Sequence, residues 1–270
     1  MTARVGEGST GPKTAEADKA RLEAIWRATI NKLKEVVREY EITQDELHVA
    51  GDFLDRLGKA GMCRSLIDVA LAMTSVEALD VAKGGTRSNL EGPYYGTHPV
   101  RPNGRLFERE PSPSASLLTL SGTVYEAETG VPAAHARLDF WQADENGHYD
   151  RAGNHLRGVV FADDAGHYEI TTIIPSDYAE HDHDPIGELF RAMGRTNTRA
   201  AHIHLKVSTG STLRLTTQLF LPTSSFLERD YVEGAVSSDL TLSLIEQEQA
   251  DSSEPRYAAT FDVFLGSEAT

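Results

Sequence analysis

The chain has 270 residues, enough for one large domain or a main domain with a smaller companion, and 40% of them are apolar, so a sizeable core can form. Lys and Arg number 26 against 41 Asp and Glu, a formal charge of −15. Such a chain, with no compact basic patch, is excluded as a nucleic-acid binder, because phosphate binding is driven by a basic surface.

Residues 1–14 are rich in Gly, Ser and Thr and read as a flexible arm. The first twenty residues, MTARVGEGSTGPKTAEADKA, contain no apolar signal-like core, and no run approaches the roughly 20 apolar residues of a membrane span. The single cysteine, Cys63, can make no internal disulfide. It sits in the helical pattern KAGMCRSLIDVALAM and is expected to be a buried small hydrophobe in a reduced, cytoplasmic protein.

From Ala15 to Ala82 the pattern is helical, which defines a helical domain over 15–89. Leu22, Ile25, Trp26, Ile30, Leu33 and Val37 recur at steps of three and four. Thr43, with Glu46 three residues later, has the form of a capping box and starts a second helix that ends at GKAG. MCRSLIDVALAM is expected to be a third helix. TSVEALDVA is expected to be a fourth, capped by Thr74 or Ser75.

From Leu90 the composition changes to Pro, Gly, Thr and Val in short runs, and 90–270 reads as a β-sandwich domain. The predicted strands are LLTLSGTVYEA, ARLDFWQA, RGVVFAD, HYEITTIIP, HIHLKVS, LRLTTQLFL and YAATFDVFLG. Turn signals such as ETGVP, DENG, DDAG and STGS separate them, and PIGELFRAMG is predicted as a short inserted helix. The fold class is therefore mainly β, with a helical N-terminal domain.

In HIHLKV, alternation puts His202, His204 and Lys206 on one face and Ile203, Leu205 and Val207 on the core face. The two imidazoles can then reach one metal ion. The plainer reading is a polar sheet face with two exposed histidines. Two histidines need partners, and the loop-ending tyrosines Tyr149 and Tyr178 are candidates, although each alone also reads as a half-buried surface aromatic. Glu180–Asp184, EHDHD, is expected to be a solvated acidic loop rather than a metal site.

The segments LEGPYY, SGTVYEAETGVPAAHARLDFWQADENGHYD, LRGVVFADDAGHYEITTIIPSDY, GELFRAMGR, RAAHIHLKV and LTTQLF, in this order, resemble the intradiol ring-cleavage dioxygenases. The resemblance covers most of the chain and is strongest over Leu90–Val236. It implies a non-haem Fe(III) held by Tyr149, Tyr178, His202 and His204. Hard anionic phenolate donors suit such an ion, and zinc sites rarely use phenolate. It also implies a catechol-type aromatic diol and dioxygen as substrates, with a muconate- or maleylacetate-type diacid as product. Tyr178 would leave the metal and take up a substrate proton. Arg199 would stabilise charge on the ring, with Gln218 as its companion. Arg157 would support the metal shell or orient Tyr178.

The same resemblance assigns Asp68, Leu90, Pro93, Tyr94, Tyr231 and Val232 to the substrate pocket. A carboxylate at Asp68, if it faces the pocket rather than solvent, favours hydroxyquinol or a chlorocatechol over plain catechol. Two departures concern the entrance and the substrate: the short DRAGNH loop after Tyr149, and RAAHIH where many relatives have proline second. The resemblance further implies a homodimer through the N-terminal helices, which can hold a phospholipid. A noncatalytic β-sandwich binding module is the alternative from a different class.

Overall fold

The structure is a computed structural model that describes residues 16–247 and 256–267. The arm expected at 1–14 lies outside the described residues. The chain divides into two units, one ending at Arg56 and the other running from Leu57 to Thr270.

In the first unit, α1 spans Glu16–Glu39, and α2, Gln44–Ala60, begins there. The Thr43 box closes in both directions. The Thr43 amide donates to Glu46 Oε2 at 2.8 Å, and the Glu46 amide donates to Thr43 Oγ1 at 3.3 Å. Leu22, Ile25, Trp26 and Leu33 of α1 are exposed, Trp26 by 65%.

The second unit opens with α3 (Cys63–Ile67), a π-helical turn (Asp68–Ala72) and α4 (Met73–Lys83). The expected break before TSVEALDVA is absent: Ala72 and Met73 keep helical dihedrals, and no side chain caps α4. Thr and Ser favour a helix start but cannot impose one where no Gly or Pro interrupts the run. The π turn begins at Asp68. Gly84, at φ 66°, ends α4, and its amide donates to the Asp80 carbonyl. Cys63 is exposed, contrary to expectation, because it opens α3 off the buried Val69–Met73 stripe.

The strands are β1 (Leu117–Glu126), β2 (Arg137–Gln142), β3 (Arg157–Phe161), β4 (His167–Ile173), β5 (Tyr178–Ala179), β6 (Thr198–Arg199), β7 (His202–Thr209), β8 (Thr212–Phe220), β9 (Ile245–Glu246), β10 (Arg256–Thr260) and β11 (Val263–Leu265). One sheet centres on β1, which pairs with β4 antiparallel and with β10 and β11 in parallel; β9 extends it beyond β10. The other is antiparallel, in the order β3-β2-β7-β8. The predicted YAATFDVFLG strand is split in two. Pairing with β1 stops at Thr260 and resumes at Val263, and between them the Phe261 carbonyl approaches Gly122 so closely that a Cβ would sit 1.9 Å from it, an approach only glycine permits.

The sheets pack face to face, with Phe140 of β2 against Tyr168 of β4 at 5.9 Å between ring centroids. Leu118, Leu120 and Val124 of β1 meet this core by alternation, as do Ile203, Leu205 and Val207 of β7; all are fully buried. α5 (Pro185–Ala192) is the predicted inserted helix. Asp184 caps it, accepting from the Ile186 and Gly187 amides, and Pro185 fills a first-turn position that needs no amide. Among the described residues, no helix is long and apolar enough to cross a membrane.

Candidate active site

The face of β7 opposite the core is not a solvated polar face. His202 and His204 are each 1% exposed, and Lys206 is 8% exposed. Alternation divides the residues between two faces, but both faces of this sheet are covered. Register then sets the neighbours. Arg157 of β3 lies opposite Trp141 of β2, Trp141 opposite His204 of β7, and His204 opposite Gln218 of β8. Four side chains thus form one row across the sheet. The Trp141 indole stacks on the His204 ring at 4.6 Å and 5°, which fixes the imidazole plane.

The two tyrosines arrive from loops that glycine brings together. Gly147 has φ 80°, and a Cβ there would lie 2.8 Å from both the Asp177 carbonyl and Tyr178 Cβ. Only glycine lets the ENGHY turn approach the start of β5 this closely. Asp144 holds that turn by accepting from the Asn146 and His148 amides at 2.9 Å. The Tyr149 and Tyr178 rings meet edge to face at 5.4 Å. Tyr178 pairs with Arg199 across the β5–β6 ladder.

Three donor atoms converge. His202 Nε2 lies 3.1 Å from His204 Nε2, which lies 3.1 Å from the Tyr149 hydroxyl. His202 Nδ1 faces the Ala200 carbonyl at 2.6 Å, so its proton belongs on Nδ1 and a bare lone pair points inward from Nε2. His204 Nδ1 is buried without a hydrogen-bond partner. Burial, followed by the Arg199 charge, holds the His202 pKa well below its ordinary value; burial and the neighbouring His202 do the same for His204. Burial raises the phenol pKa of both Tyr149 and Tyr178, while Arg199 pulls each down.

Neutral imidazoles whose Nε2 atoms face one another, beside phenols that need a cation in order to ionise, form a donor set fitted to a hard metal ion. Among the described residues, no three His, Cys, Asp or Glu side chains gather to hold a metal. A protein site with three or more donors here would need the tyrosines.

Arg199 is buried and doubly held. Its Nε donates to both oxygens of Asp230 at 2.9 and 3.1 Å, and Nη2 donates to Gln218 Oε1 at 2.7 Å. Gln218 Nε2 in turn donates to the Leu90 carbonyl at 2.8 Å. Burial opposes the guanidinium charge, but Asp230 with Tyr178 and Tyr231 holds its pKa above the ordinary value. Arg157 donates from Nη1 to the Tyr94 carbonyl at 2.6 Å and from Nε to the Asp150 carbonyl at 3.0 Å. Its guanidinium lies over the Tyr149 ring, so its observed contacts are on the Tyr149 side rather than at Tyr178.

A cleft of about 1090 Å³ opens here, and Asp68, Leu90, Pro93, Tyr94, Tyr231 and Val232 all line it. Asp68 is half exposed, 3.6 Å from Arg64. Tyr94 stacks on Tyr149 at 4.3 Å, and burial followed by the Glu180 charge pushes its phenol up to about 12. Residues missed from the sequence also belong to the site: Asp230, Trp141, Glu180 and the buried Asp139–His98 pair at 2.5 Å. Alternation with His204's strand partner could have flagged Trp141; Glu180 belongs to EHDHD, whose composition reads as a solvated loop, and nothing local marks the others.

The family model described as Dioxygenase matches residues 90–267. The hydroxyquinol 1,2-dioxygenase of Rhizobium sp. (strain MTP-10005) is 31% identical over 239 residues, covering 83% of this chain and 79% of the relative. This chain belongs to the intradiol ring-cleavage dioxygenases. The catechol 1,2-dioxygenase of Acinetobacter baylyi (strain ATCC 33305 / BD413 / ADP1) is 28% identical, covering 76% of this chain and 70% of that one. The crystal structure of 3-chlorocatechol 1,2-dioxygenase from Rhodococcus opacus 1CP superposes with a TM-score of 0.82 at 25% identity, covering 92% of this chain and 98% of the other. The dioxygenase is thus an enzyme of a family that opens aromatic diols with dioxygen and generally uses non-haem iron, and the noncatalytic reading falls.

Proposed function

We propose that this dioxygenase holds ferric iron through Tyr149, Tyr178, His202 and His204 and cleaves hydroxyquinol or a chlorocatechol between its hydroxylated carbons. The observation that carries the reading is the convergence of two imidazole nitrogens and a phenol oxygen at 3.1 Å, with a second phenol beside them. Bound ferric iron would supply Lewis acidity, drawing electron density from the diol so that dioxygen can add to the ring.

The chain's own groups do the rest. Tyr178, at the edge of the set and partly exposed, would as its phenolate accept a proton from the incoming diol at its phenolic oxygen. Arg199, immobilised by Asp230 and Gln218, offers a fixed guanidinium to negative charge developing on the ring. Tyr94 roofs Tyr149 and limits access of water. On the cleft wall, the Asp68 carboxylate supports a substrate with a further polar ring substituent, since it can accept a hydrogen bond from a third hydroxyl. The exposed apolar face of α1, with Trp26 and Leu33, supports a second copy of the chain as partner.

The test is the purified protein itself. It should carry iron and a visible phenolate-to-iron band, and Tyr149→Phe should weaken or shift that band. Oxygen uptake should rank hydroxyquinol or a chlorocatechol above catechol. A colourless protein that stays inactive after ferric reconstitution would overturn the site assignment; catechol ranking first would overturn the substrate.

A further inference from the structure

The EHDHD segment is not the solvated loop that its composition suggests. Asp182 and His183 are exposed, but Glu180 and His181 turn inward and line the cleft, with side chains 14% and 10% exposed. Their placement is firm. The Glu180 amide donates to the Asn197 carbonyl at 3.0 Å, and the Asn197 side-chain amide returns a bond to the Glu180 carbonyl. His181 takes a left-handed φ of 60°, and its carbonyl would lie 1.7 Å from any Cβ at Gly187, so α5 is seated directly against this turn. His181 Nδ1 is bonded to Asp184 at 2.7 Å.

The Glu180 carboxylate therefore stands in the cleft wall two residues beyond Tyr178. It accepts from the Tyr231 hydroxyl at 3.1 Å, and His181 Nε2 is 3.8 Å away. A carboxylate offers about four acceptor positions, so capacity remains for a ligand. Among the described residues, no Lys or Arg nitrogen pairs with it, and the Arg199 charge is already matched by Asp230. Of the other cleft cations, Arg157 is over Tyr149, Arg64 is beside Asp68, and Arg151 donates to the Tyr94 hydroxyl, which is in turn hydrogen-bonded to Glu180. The wall beside Tyr178 thus presents a fixed carboxylate with no Lys or Arg ion-pair partner among the described residues.

We propose that Glu180 is a specificity-determining residue, which accepts a hydrogen bond from a donor substituent of the aromatic diol, hydroxyl or ammonium, and rejects a carboxylate there. The proposal rests on the reading that the diol binds beside Tyr178. Rejection follows from like charge in a partly buried wall, and discrimination of this kind needs such a repulsive element as well as an attractive one.

The experiment compares kcat/KM, relative to catechol, for hydroxyquinol, a catechol carrying an aminoethyl group and a catechol carrying a carboxylate. Diols that are not turned over are scored by inhibition of catechol cleavage. The wild type should disfavour the carboxylate-bearing diol by about tenfold or more relative to catechol. Glu180→Gln keeps the bond from Tyr231 but removes the charge. It should narrow that gap by about tenfold and lower the relative efficiency of the ammonium-bearing diol by about tenfold, with a smaller change for the hydroxyl. Glu180→Asp, which keeps the charge, should retain the wild-type order. If Glu180→Gln leaves the charged-diol ratios within about twofold of wild type, the proposal is overturned. Failure of hydroxyquinol alone would refute only the substrate reading, because the two charged diols report on Glu180 independently.

Discussion

Arg199 and Asp230 form a buried ion pair, with Nε 2.9 Å from Oδ1 and side chains only 6% and 3% exposed. Asp230 also accepts from the Ala200 and Val232 amides at 2.8 Å. The pair therefore joins the strand that carries Arg199 to the segment that carries Tyr231 and Val232. It also fixes the guanidinium before any substrate arrives. Removing one partner of such a pair strands the other's charge away from water. Asp230→Ala should cost about 3–5 kcal/mol of stability, read by urea denaturation. A cost below about 1 kcal/mol would mean that Arg199 finds another partner.

Gly147 tests how tightly the two tyrosine loops are coupled. Alanine there meets Tyr178 Cβ and the Asp177 carbonyl at 2.8 Å while held at positive φ. Gly147→Ala should destabilise by about 2–3 kcal/mol and shift the visible band through displacement of Tyr178. Gly130 also has positive φ, but nothing lies within 4 Å of its Cβ position. Gly130→Ala should cost only about 1–2 kcal/mol and leave the band unchanged.

His155 gives the protein a pH dependence of defined sign. Its buried Nδ1 accepts from the Glu108 and Arg109 amides, at 3.2 and 3.4 Å, which requires the unprotonated nitrogen. Burial, followed by the Arg109 charge, lowers its folded-state pKa. The unfolded chain then binds the extra proton first. The stabilisation is complete above about pH 6.5 and is lost as pH falls from there through the folded pKa. Relative to His155→Asn, the wild type should lose up to about 1.4 kcal/mol per pH unit in that window. The difference between the two profiles removes contributions from other histidines, and parallel profiles would contradict the assignment.

Asp68→Ala tests the other carboxylate of the cleft. With its acceptor gone, the kcat/KM ratio of hydroxyquinol to catechol should fall by about tenfold, measured by oxygen uptake. An unchanged ratio would assign Asp68 to solvent and its Arg64 contact alone.

The succession of helices and then short strands was legible because periodicities of 3.6 and 2 are local. So was the division of HIHLKV into two faces. What covers the histidine face was not, since alternation separates faces without saying whether either meets water. Cys63 misled for a related reason: it lies in an apolar stretch but opens a helix at the solvent side. EHDHD misled because its composition is polar while its turn at His181 points two of its members into the cleft.

The sequence by itself determined the elements, the donor types and the order in which they occur, because each depends on neighbours a few residues apart. The tertiary structure alone decided the row Arg157–Trp141–His204–Gln218, the locking of Arg199 by Asp230 and the inward turn of Glu180. Those depend on strand register, on one glycine-permitted approach of two loops, and on charges paired across dozens of residues. Such contacts form only when distant segments are packed against one another, and burial then makes each unpaired charge too costly to leave to chance.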